Sequence, residues 1–222
     1  VDHILTFNVD DFRRYPGMFD EVCYTGTGAN HFEAHNLGAV PELIITKNRT
    51  GAPTVTGWVT AAPSVFAGPG FIAFLNTTAT PFNNGAYFTD AGSFSSTQLP
   101  IATHRNESGV AYVAYLFATK AGVSKVGSYT GNGTNQTINA GFSAGARFVL
   151  IKRTDLAGDW FVWDSTRGIV AANDPHLSLN TTAAEVTTDD SIDTDNSGFV
   201  VNQLAATDIN VNTATYIYLA FS

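Results

Sequence analysis

The sequence predicts an all-β protein made of two tandem, homologous β-sandwich domains of jelly-roll-like form. Three observations predict it. Tyr24-Thr25-Gly26-Thr27-Gly28-Ala29-Asn30 returns as Tyr129-Thr130-Gly131-Asn132-Gly133-Thr134-Asn135, an offset of 129 − 24 = 105 residues. Apolar residues come in short β-branched or aromatic runs, with almost no sustained 3.6-residue periodicity. Between the runs lie Asn- and Gly-rich turn formers such as Pro81-Phe82-Asn83-Asn84-Gly85, Asn106-Glu107-Ser108-Gly109 and Asp195-Asn196-Ser197-Gly198, spaced as in a sandwich or jelly roll.

A period of this length is that of an independent domain and too long for a solenoid repeat or a propeller blade. Residues 1–20 have no counterpart at the joint and read as an N-terminal arm or linker. Within them, Ile4 to Phe12 reads as the last strand of something upstream or as an arm lying on a neighbour. The first repeat then covers 21–119, residues 120–125 form a short joint that holds the units side by side, and the second repeat covers 126–222. Leu43-Ile44-Ile45-Thr46-Lys47 and Phe148-Val149-Leu150-Ile151-Lys152 are near-continuous apolar runs ending in Lys, as expected of a strand in mid-sheet. The same offset places Trp58 on Trp163, each on the next strand. It then slips by one, so that Leu75-Asn76-Thr77-Thr78-Ala79 meets Leu179-Asn180-Thr181-Thr182-Ala183. The closing strands, Ala111 to Ala118 and Thr215 to Phe221, alternate aromatic rings and read as central.

Composition narrows the function classes. Lys and Arg number 11 against 19 Asp and Glu, a formal charge of −8, which gives phosphate neutralisation little to work with and argues against nucleic acid. Only 14% of residues are charged and 44% are hydrophobic, a balance suited to extracellular or virion β-proteins. Cys23 is the single cysteine, so stability is expected from packed cores without an intrachain disulfide. No apolar run is long enough to span a bilayer as a helix, and Val1-Asp2-His3-Ile4 lacks a signal peptide's basic start; a preceding N-terminal region is expected.

Few constellations carry chemistry. The Tyr-Thr-Gly-x-Gly pair has the look of a phosphate loop, but strand sequence follows it where a helix N-terminus would be needed; glycines at a bulge or close approach are expected. Asp193, Asp195 and Ser197, followed by Gly198, open like a calcium loop, yet Leu204 stands where the bidentate Glu belongs. A structural calcium held by Asp193, Asp195 and Ser197 in some other geometry is the one cofactor entertained. His31, His35, His104 and His176 are scattered, and the second repeat has Gln136 and Ala140 for the first two, so surface positions are expected. No nucleophile elbow occurs, and the chain is expected not to be an enzyme. Trp160 and Phe161 fall on opposite faces of their strand, which offers one ring for stacking on a sugar. Asn48, Asn76, Asn106, Asn132, Asn135 and Asn180 head Asn-x-Ser/Thr triplets, the pattern of a glycosylation acceptor.

The chain also resembles a family of tandem C-terminal domains of tailed-bacteriophage tail and tail-fibre proteins. The resemblance rests on Phe12-Arg13-Arg14-Tyr15-Pro16-Gly17-Met18-Phe19-Asp20, His35-Asn36-Leu37-Gly38, Ala111-Tyr112-Val113-Ala114-Tyr115-Leu116-Phe117-Ala118-Thr119 and Gly145-Ala146-Arg147-Phe148-Val149-Leu150-Ile151-Lys152-Arg153-Thr154-Asp155. Gly158-Asp159-Trp160, Trp163-Asp164 and Asn180-Thr181-Thr182-Ala183-Ala184-Glu185 extend it. It implies a virion structural protein, the distal part of a tail or fibre, that meets other virion subunits and a host-surface glycan or protein receptor. It implies no activity and no catalytic residues. A homo-oligomer is expected, a trimer first. A capsid-decorating module or a carbohydrate-binding module is the alternative. Residues 51–74, with Pro53, Pro63 and Pro69, depart from the family pattern and lack the Asp164 to Gly168 step.

Overall fold

The computed structural model describes residues 14–51, 53–202 and 205–222. The segment from Ile4 to Phe12 lies outside the described residues.

The first repeat contributes eight strands: β1 (Phe19–Thr25), β2 (His31–Ala34), β3 (Leu43–Asn48), β4 (Val59–Ala61), β5 (Phe71–Phe74), β6 (Phe82–Asn83), β7 (Gln98–Ile101) and β8 (Ala111–Phe117). The second contributes β9 (Ser124–Thr130), β10 (Gln136–Asn139), β11 (Phe148–Arg153), β12 (Trp160–Asp164), β13 (His176–Ser178), β14 (Ile192–Asp195), β15 (Gly198–Val201) and β16 (Thr215–Phe221). The helices among the described residues are short 3-10 turns, at Gly85–Tyr87, Thr89–Ala91 and Thr103–Arg105.

All-β holds; the jelly-roll sandwiches do not. The strands form four open sheets: β1-β8-β3-β4-β5-β6, β13-β12-β11-β16-β9, and two small ones, β10-β15-β14 and β2-β7. None closes on itself, and a ribbon of two or three short strands is no second leaf for a sheet of five or six. The reason is local. The Pro-, Gly- and Thr-rich stretches between β3 and β4, after β6, and between β12 and β14 spend their residues on turns, leaving each repeat one large sheet and a remnant.

Three apolar cores result. Tyr24, Ile44, Tyr112, Ala114 and Leu116 point to one side of the first large sheet and meet Leu99 and Ile101 of β7. Tyr129, Val149, Ile151, Tyr216 and Tyr218 do the same in the second repeat, against Phe199 and Val201 of β15. The third core joins the repeats: Phe19, Leu43, Ala73 and Phe117 pack with Val126, Leu150, Trp160, Val162, Ile217 and Leu219. Successive strand residues face opposite ways, so β16 sends Tyr216, Tyr218 and Ala220 into its own core and Ile217 and Leu219 into the shared one. Both faces of the closing strands are therefore buried, which explains their unbroken apolar sequence. The expectation of two self-sufficient interiors is corrected to two private cores and one in common.

The strand registers also correct the sequence alignment. Lys152 pairs with Trp160 across β11 and β12, and Ile44, Ile45 and Thr46 pair with Ala61, Thr60 and Val59 across β3 and β4. Continuing the latter register sets Trp58 opposite Lys47, so Trp58 is the counterpart of Trp160, and Ala61 that of Trp163. The β3–β4 connection is longer in the first repeat, and the offset of 105 overshoots it. Side-chain bonds agree: Asn76 Oδ1 accepts from Trp58 N (2.9 Å), as Asn180 Oδ1 does from Trp160 N (2.8 Å).

Candidate functional site

The strongest sequence signal turns out to be architectural. In each repeat the first Tyr of the duplicated motif stacks on a Tyr of the closing strand, Tyr24 on Tyr112 with centroids 5.1 Å apart and Tyr129 on Tyr216 at 4.8 Å. The phenol of Tyr24 donates to Arg105 O (2.8 Å) and that of Tyr129 to Ile209 O (2.6 Å). Burial pushes both phenol pKa values upward. A buried asparagine follows one residue later. Asn106 accepts from Thr27 N (2.7 Å) and donates to Ala29 O; Asn210 accepts from Asn132 N (2.9 Å) and donates to Thr134 O. A Cβ on Gly26 would stand 2.1 Å from Glu107 O, and one on Gly131 would stand 2.2 Å from Val211 O. Close backbone approach requires glycine there, and no phosphate cradle is formed. Asn106 is fully buried, which removes it as a glycan acceptor.

Function is better sought where the copies differ. In the second repeat Ser165 N donates to Arg147 O (2.8 Å), extending the ladder of β11 and β12. In the first repeat the corresponding residues are Pro63 and Glu42, and proline has no N–H to give. The strands part at that point. A cleft of about 740 Å³ opens there, walled by Val40, Pro41, Pro63, Pro69 and Phe94, with Glu42 and Thr119 at its polar edge. Glu42 Oε2 accepts from Thr119 N, which fixes the carboxylate against the end of β8. Proline walls hold their shape because φ is locked, and Val40 is 49% exposed at the rim. Among the described residues Glu42 is the one ionisable side chain lining the cleft, and no second carboxylate stands beside it there as glycoside hydrolysis would need.

The residues singled out by sequence fall elsewhere. Trp160 and Phe161 are both buried, at 1% and 8% exposure, so neither ring offers a face to a sugar. Phe161 belongs to the second private core and Trp160 to the shared one. The exposed indole is Trp58, at 36%. Asp195 closes the β14–β15 hairpin on itself, its Oδ1 accepting from Ser197 N (2.8 Å) and Ser197 Oγ (2.6 Å), which lowers its pKa. Asp193 sits in mid-strand opposite Val200. Among the described residues no group of three or more His, Cys, Asp or Glu is placed to hold a metal ion.

The histidines are not uniformly superficial, contrary to expectation. His35 is buried with Nε2 at Ser95 O (3.2 Å), and His176 is buried against the rings of Phe161 and Trp163, each centroid 5.4 Å away. Asp174, just ahead of it, was missed from sequence. It is fully buried, takes backbone N–H groups from Val170, Ser191 and Ile192, and is pushed up to about 6 by desolvation. Its task is to tie the loop after β12 to the start of β14. The Asp164 to Gly168 step is likewise a turn cap: Asp164 Oδ1 accepts from Thr166 N and Arg167 N, and Arg167 bridges to Glu185 (2.9 Å).

Comparison with protein families finds a match over residues 16–222 to the family described as Domain of unknown function (DUF7483). The chain belongs to the DUF7483 family. The match begins beside β1 and runs through both repeats, so the tandem unit as a whole is what this DUF7483 chain shares with its family. No curated protein and no solved structure matches it.

Proposed function

We infer that this DUF7483 chain is a non-catalytic attachment module of a tailed-bacteriophage particle, placed in the tail or fibre. The carrying observation is the proline-walled cleft of the first repeat. Two copies of one scaffold share their corners and cores, and the copy that differs does so by opening a rigid, mostly apolar recess with one fixed carboxylate. Recesses of this size and character bind ligands. The particle is inferred from the resemblance of the sequence to phage tail domains. The ligand is a segment of the host surface, glycan or protein, that inserts an apolar group between Pro63 and Phe94 and donates to Glu42.

The experiment is adsorption. Purified chain is expected to bind the host cells saturably and to slow adsorption of the intact phage, and Val40→Glu, a rim change that touches no core, is expected to abolish both. Chain that neither binds nor competes, or a Val40→Glu variant that does both as well as the parent, contradicts the reading.

A further inference from the structure

The repeats grip one another through a contact that uses only half of the parts available. On the second repeat, Trp160 Nε1 donates to Phe74 O (3.0 Å) and Lys152 Nζ donates to Thr78 O (2.9 Å). The gripped element is the turn that follows β5, residues 74–78 of the first repeat. Leu75, on that turn, packs against the shared core.

Each half of this contact exists a second time. The gripping pair recurs as Lys47 and Trp58 and is built the same way: Lys47 Nζ donates to Thr56 O as Lys152 Nζ does to Gly158 O, and Trp58 is held by Asn76 as Trp160 is by Asn180. The gripped turn recurs at 178–182, where Leu179-Asn180-Thr181-Thr182 repeat Leu75-Asn76-Thr77-Thr78 and Ser178 stands for Phe74. Its shape is also the same, since Ser178 O accepts from Thr181 N and Oγ1 (both 3.4 Å) as Phe74 O does from Thr77 N (3.2 Å) and Oγ1 (3.4 Å). Yet the second set is open. Trp58 is 36% exposed against 1% for Trp160, and Leu179 is 40% exposed where its counterpart Leu75 is partly covered.

We propose that the Lys47–Trp58 pair of one molecule receives the 178–182 turn of a second copy of this chain, repeating between molecules the grip that joins the two repeats within one. The occupant is specified by the internal contact: a turn with four of its five residues identical, already folded to the same shape, offering Ser178 O and Thr182 O. Because pair and turn lie on different repeats, the contact is head-to-tail. It builds a closed ring where the rotation allows and a linear array where it does not. A single turn buries little area, so the association is weak and driven by local concentration. The contact is separate from the attachment cleft, whose lining includes neither Lys47, Trp58 nor any residue of the 178–182 turn.

Sedimentation velocity of the whole chain over a rising concentration series tests it. The parent is expected to associate reversibly, and Trp58→Ala and Leu179→Asp, both at exposed positions, are each expected to stay monomeric. Trp58→Phe keeps a ring and removes the donor, and is expected to weaken association about tenfold. Mixing Trp58→Ala with Leu179→Asp brings together one intact turn and one intact pair, and a dimer with nothing larger is expected. A parent that remains monomeric up to its solubility limit overturns the proposal, and so does association that persists in Trp58→Ala.

Discussion

Thr213 shows how much a single residue can reveal when the chain carries its own comparison. Its φ is 66°, a conformation a β-branched side chain adopts only under strain, and its counterpart is Gly109 at φ 78°. Both make the same bond, Thr213 N to Gly131 O and Gly109 N to Gly26 O, each 2.9 Å. The second repeat thus holds a threonine where the first holds the residue that fits. Thr213→Gly is expected to raise stability by about 1 kcal/mol, the order of the steric cost of a left-handed residue with a Cβ, read as a higher urea midpoint. An unchanged or lower midpoint would mean that the threonine's own contacts outweigh its backbone strain. Sequence could not show this, because turn geometry is invisible until the two loops are laid on one another.

At the scale of elements, the central strands were legible because their residues are apolar on both faces, as in Phe148 to Lys152 and Tyr216 to Phe221. Less was legible where loops change length. The constant offset set Trp58 on Trp163, and only the β3–β4 register shows that Trp58 corresponds to Trp160. That slip hid the unequal burial of two equivalent indoles. The cleft was hidden for a related reason: Pro63 breaks the likeness between the repeats, but its effect depends on facing Glu42 across a ladder that sequence does not show. The duplicated corner, by contrast, was found by sequence and misread only in purpose. Asn210 clamps it, bonding Asn132 N, Thr134 O and Val201 O from within the interior. Asn210→Ala removes all three bonds, the one to Val201 O from a buried position, and is expected to cost about 2 kcal/mol in chemical denaturation. A loss below about 1 kcal/mol would show that water replaces the amide.

At the scale of the whole molecule, the shared core makes two homologous repeats one structure, and it contains a charge. Lys152 is fully buried between the repeats, beneath Thr78 O and beside Trp160, and desolvation lowers its pKa from 10.5 to about 8 despite the favourable field of Asp159. Between those values the unfolded chain binds the proton more tightly than the fold does. Stability is therefore expected to rise with pH from about 8 towards 10 and to stop rising there, as the tyrosines begin to count. Tyr218, raised to about 12 by burial, contributes the opposite slope above 10. Lys152→Met is expected to flatten the rise between pH 8 and 10, and a slope retained in that variant would assign it to another group.

The fusion of the repeats is the claim on which the interface, the charge and the docking surface all rest. Scanning calorimetry of the intact chain measures it directly. A single transition, with calorimetric and van't Hoff enthalpies equal, is the result expected of repeats that share a core; two resolved transitions, one for each repeat, would contradict it.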